Sequence, residues 1–132
     1  MPVLVYTLGS AKEEHPLQSA ITEALRTKSI DYVTKVGIHF GLNLIVQLRF
    51  KGIKCHVVAR APIDKKPCSM VLNELLKAGL AEFEEPFDLI DTTKEGTASV
   101  ELRVPEDLSP QLYPMWGSAV ANAIAKYVRS LK

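Results

Sequence analysis

The sequence predicts an α+β fold. It reads as a single, mostly antiparallel sheet in the order β-α-β-β-β-α-β-β-α, with helices packed on one face and a long C-terminal helix. Three observations carry this. Apolar residues alternate at every second position from Leu42 to Ala59, interrupted at Lys51-Gly52 as in a hairpin. Segments that follow Pro16, Pro67 and Pro114 place apolar residues at helical spacing. The length of 132 residues, with 47% hydrophobic and 23% charged, is that of one ordinary globular domain spanning residues 1–132.

The elements follow in order. Pro2 to Leu8 is apolar and β-branched, ends at Gly9-Ser10, and reads as a strand. Leu17, Ala20, Ile21, Ala24 and Leu25 share one helical face, and Pro16 suits the first turn. Ser29 to about Ile38 reads as a second strand. Leu42, Leu44, Val46, Leu48 and Phe50 then share a face, as do Ile53, Cys55, Val57 and Ala59. A turn between them sets Leu48 opposite Cys55 and Val46 opposite Val57, and any one-residue slip would bring apolar against charged.

Pro67 opens a helix with Cys68, Val71, Leu72, Leu75 and Leu76 on its stripe, and Gly79 fits the position just past its end. Glu82, Glu84, Glu85 and Pro86 make an acidic connector. Phe87–Thr92 and Thr97–Val104 read as a second hairpin about Lys94-Glu95-Gly96, with Ser99, Glu101 and Arg103 facing out. The last helix carries Trp116, Val120, Ala123, Ile124, Tyr127, Val128 and Leu131 at helical spacing, and Lys126, Arg129 and Lys132 suit its dipole. Ala119, Ala121 and Ala123 would let a second helix approach closely, which suggests a homo-oligomer.

The charge is sorted along the chain. Residues 26 to 66 hold nine Lys/Arg against two acids, and residues 67 to 107 hold ten acids against three bases, behind a net charge of +1. Such asymmetry points to a charged partner. The solvent side of the predicted first hairpin carries Asn43, Gln47, Arg49 and Lys51, faced by Lys54, His56 and Arg60, with Arg49 beside Lys54. Like charges side by side destabilise a sheet unless an anion offsets them. The reading this favours is a non-enzymatic protein that binds an anionic partner, most concretely single-stranded nucleic acid, through Arg49, Lys51, Lys54, Arg60, Asn43, Gln47 and His56. An intramolecular alternative sets Glu101, Asp88 or Asp91 beside Arg49, Lys54 or Arg60. A third is a pure assembly subunit.

A rival reading is a small-molecule enzyme or carrier. Lys65, Lys66 and Ser69 stand at the entrance of the second helix, where unpaired N–H groups favour an anion. Against enzymes generally, the three histidines are far apart and show no zinc-ligand spacing, and there is no Walker loop, GxGxxG or Ser-His-Asp pattern. No cofactor or metal is expected. His15 reads as a loop residue, and Cys55 and Cys68 as small core residues. Two cysteines make no disulfide framework, and the longest apolar run is far too short to span a bilayer, so a cytoplasmic setting is expected.

The opening Met1-Pro2, followed by an apolar strand and a helix, is similar to the start of the 4-oxalocrotonate tautomerase-like enzymes. That resemblance implies Pro2 as an N-terminal amine base once Met1 is removed. It covers about the first 25 residues, and the chain departs from it in three consecutive strands after the first helix and in its C-terminal helix.

Overall fold

The computed structural model describes residues 2–8, 15–35, 41–50, 56–60, 66–80, 88–90 and 98–131, with side chains described for all of these except 56–60 and 88–90. The elements are β1 (Val3–Thr7), α1 (Pro16–Thr27), β2 (Tyr32–Val33), β3 (Leu44–Phe50), β4 (His56–Arg60), α2 (Lys66–Lys77), β5 (Asp88–Ile90), β6 (Ser99–Val104) and α3 (Tyr113–Ser130), with a 3-10 turn at Pro110–Leu112. They follow one another in the order that the periodicity indicates.

The sheet differs from the prediction, and the fold is α/β. Its six strands run β2-β1-β3-β6-β4-β5. The four neighbours β2, β1, β3 and β6 are all parallel. Among the described residues the one antiparallel pair is β4 with β6, and β5 is parallel to β4. Neither predicted hairpin is formed. β6 lies between β3 and β4, so Arg49 is the backbone partner of Arg103 and is not set beside Lys54. β5 pairs with β4 and not with β6. The physical reason is that alternation of apolar residues decides which face a side chain takes but not which strand lies alongside.

The reversal of direction between β6 and β4 has a consequence for the helices. Crossover β1-α1-β2 leads outward to one edge, and β4-α2-β5 leads outward to the other. Because β1 and β4 run in opposite directions, two crossovers of the usual right hand bring both helices to one face. There α3 packs between α1 and α2. The core joins Val3, Val5, Leu44, Val46, Leu48, Val100, Leu102 and Val104 of the sheet to Leu17, Ile21, Leu25, Val71, Leu75, Trp116, Val120 and Ile124 of the helices. The α3 alanines Ala119, Ala121 and Ala123 are buried within this layer, so the close approach they permit is to helices of the same chain.

Gly117 of α3 sits directly against Ala20 of α1. A Cβ on it would lie 2.7 Å from the Ala20 carbonyl carbon and 2.8 Å from the Ala20 Cβ and O. Both crossover helices end in a left-handed residue. Gly79 (φ 73°) and Ser29 (φ 59°) follow α2 and α1. Leu80 N–H donates to Leu75 O (2.9 Å) and Ile30 N–H to Leu25 O (3.1 Å), the Schellman pattern in each case. Among the described residues no helix is long and apolar enough to cross a membrane.

Candidate functional site: the outer face of the sheet

The helices cover one side of the sheet, so the opposite side of the parallel strands holds the alternate residues. Leu4 and Tyr6 of β1 are aligned with Ile45 and Gln47 of β3. Ile45, Gln47 and Arg49 are aligned with Ser99, Glu101 and Arg103 of β6. Across the next pair, Glu101 faces Val58 and Arg103 faces His56 along the backbone. The middle of this face is polar, yet Glu101 is 0% exposed.

Glu101 is held by two arginines. Arg103 Nε donates to Glu101 Oε2 at 2.7 Å, a short charge-assisted bond. Arg49 Nε stands 3.6 Å from Glu101 Oε1, within ion-pair range but beyond hydrogen bonding. The Arg49 Nε is buried and makes no hydrogen bond among the described residues. The Arg49 side chain as a whole is 40% exposed, against 25% for Arg103. Among the described residues, one carboxylate thus stands within ion-pair range of two guanidinium groups. Arg103 is fixed by its bond, whereas Arg49 is attracted to Glu101 but not locked. On the β1 side, Gln47 Nε2 donates to the Tyr6 hydroxyl.

The residues the sequence singled out fall as follows. Arg49 and Gln47 lie together on this face. Asn43 lies just before β3, and its N–H donates to the Pro2 carbonyl (3.0 Å) at the amino end of β1. His56 and Arg60 are in β4, backbone partners of Arg103 and Ser99. Lys51 and Lys54 lie outside the described residues, as does Lys65. Lys66 is exposed at the first position of α2, and Ser69 follows in its first turn. Cys68 is buried in the core. Among the described residues no group of three or more His, Cys, Asp or Glu could hold a metal ion.

Two things escaped the sequence reading. Local pattern places Arg103 only on the solvent side of a hairpin, and its parallel alignment with Arg49 follows from the tertiary fold. His15 is not a plain loop residue but the N-cap of α1, its Nδ1 accepting from Leu17 N–H at 3.0 Å. Pro16 at the first helical position was the available signal, because the residue before it is then the cap.

No family model matches the sequence, and no curated protein matches it. Solved structures do. The chain is similar to a bacteriophage poly-γ-glutamate hydrolase, with a TM-score of 0.60 and 9% identity over 99% of this chain and 86% of that one. It is also similar to a conserved protein of unknown function, with a TM-score of 0.57 and 10% identity over 98% of this chain, and it spans 63% of that chain's length. At these identities the likeness is one of fold.

Proposed function

We propose that this protein binds an oxyanion-bearing ligand on the outer face of its sheet. Arg49 makes the charged contact, and Arg103 with Glu101 forms the fixed base beneath it. The observation that supports this is the uneven sharing of Glu101: Arg103 is hydrogen-bonded to it, and Arg49 at 3.6 Å is not. A guanidinium held near a carboxylate but short of bonding keeps its forked donors for a second oxyanion. A phosphate of single-stranded nucleic acid and a carboxylate are two sources of that group. Titration with a single-stranded oligonucleotide, inorganic phosphate and glutarate at low and high salt separates them. A phosphate-tracking ligand must lose affinity steeply as salt rises. Absence of binding by all three at low salt would refute the proposal.

The fold likeness to a bacteriophage hydrolase favours a second reading, in which the protein cleaves an anionic polymer held by the same arginines. Incubation with poly-γ-glutamate, followed by sizing of the products, tests it. Unchanged chain length would exclude that substrate.

A further inference from the structure

We propose that His15 is a pH-sensitive clasp that ties the first turn of α1 to the carboxyl end of β3 and to the start of α3. A neutral imidazole has one lone pair in the ring plane, and here Nδ1 uses it to accept from Leu17 N–H at 3.0 Å. The proton of the neutral ring therefore sits on Nε2. The ring lies against Phe50 at the end of β3, with centroids 4.0 Å apart. It meets the edge of Tyr113, the first residue of α3, at 5.6 Å. One residue beyond Leu17, buried Gln18 accepts from the Thr7 hydroxyl at 2.7 Å, which fixes the same turn to the end of β1.

Protonation breaks this arrangement in two ways. It turns Nδ1 from acceptor into donor against a backbone donor, and it places a positive charge at the positive end of α1. Partial burial already pushes the His15 pKa below 6.5. Among the described residues, the rings that face it from other elements are Phe50 and Tyr113, neither of them a carboxylate or a cation. Arg49 precedes Phe50 but lies on the opposite face of β3, paired with Glu101. Glu13 and Glu14 precede His15 in sequence, outside the described residues.

The sign follows from the direction of the shift. The folded state holds its proton less tightly than the unfolded state, so the clasp is intact above the unfolded pKa. Its contribution is lost as pH falls from 6.5 through the lower folded value. Within that window the folding constant falls by up to roughly tenfold per pH unit.

The test compares the wild type with His15→Asn, since asparagine caps helices well and does not titrate. Thermal midpoints are measured from about pH 7.5 to about pH 5, and the imidazole nitrogens of the wild type are followed by NMR. The expected result is a His15 titration below 6.5 from the Nε2–H tautomer. With it, the wild type should lose midpoint relative to His15→Asn as pH falls. His39 and His56 are common to both proteins and cancel. A His15 that titrates at or above 6.5, or a midpoint difference flat with pH, overturns the proposal. The NMR arm needs no variant, so a poorly folding His15→Asn does not remove the test.

Discussion

Glu101→Gln is the substitution that most directly probes the polar centre of the sheet. It conserves shape and removes one charge at a position with no solvent exposure. In the wild type, Arg103 Nε–H reaches Glu101 Oε2 at 2.7 Å and Arg49 lies 3.6 Å from Oε1. The amide keeps one oxygen for Arg103, which weakens a charge-assisted bond to an ordinary one, a loss of about 1 kcal/mol. Its NH2 then faces Arg49, donor against cation, and two aligned arginines lose their shared counter-charge. Removing one partner from a fully buried pair costs about 3–5 kcal/mol. Arg49 is 40% exposed and Arg103 25%, so water can take up much of their charge, and the total is nearer ~2 kcal/mol. For 132 residues the unfolding entropy is about 0.28 kcal/mol per kelvin, so the midpoint should fall by about 7 °C. Urea and thermal melts followed by circular dichroism measure it. The same variant should bind anions more tightly than the wild type, because the Glu101 carboxylate no longer competes for Arg49. A loss below about 0.5 kcal/mol, or weaker anion binding, would refute the assignment of Glu101 as a shared anchor.

Four further substitutions have expected outcomes. Gly117→Ala places a methyl group 2.7–2.8 Å from the Ala20 backbone, which cannot rotate away. Despite a helix-propensity gain of about 1 kcal/mol, the overpacked α1–α3 contact should leave it less stable by ~1 kcal/mol, read as a lower urea midpoint. Ser29→Gly relieves a non-glycine left-handed residue at the end of α1 and should stabilise the protein by about 0.5–1 kcal/mol in the same assay. Arg49→Ala should abolish anion binding with little change in melting, whereas Arg103→Ala, which removes the hydrogen-bonded guanidinium from the buried Glu101, should cost about 3 kcal/mol of stability, checked by paired binding and denaturation curves.

The helices were legible because their signal is local. Leu17, Ile21 and Leu25, then Val71 and Leu75, then Trp116, Val120 and Ile124 recur at helical spacing, and all are buried. The faces of the strands were legible for the same reason, since Leu44, Val46 and Leu48 alternate with Ile45, Gln47 and Arg49. The neighbours of the strands were not. Leu44–Phe50 and His56–Arg60 are close in sequence and matched in pattern, which suits a hairpin. Yet β6, some forty residues further on, inserts between them. That choice rests on burial of the whole sheet: β6 is buried on both faces, as a central strand must be. The pairing of Arg49 with Glu101 was one of several alternatives that charge sorting allowed, and only the parallel register selects it. The meeting of His15 with Phe50 and Tyr113 joins three distant parts of the chain and leaves no trace in local pattern.

The most direct test of the account is NMR observation of the arginine Nε–H resonances while phosphate or glutarate is added to the folded protein. The Arg49 resonance should move and saturate, while that of Arg103, bonded to Glu101, should stay nearly fixed. An unmoved Arg49 resonance at saturating anion, or displacement of Arg103 ahead of Arg49, would contradict it.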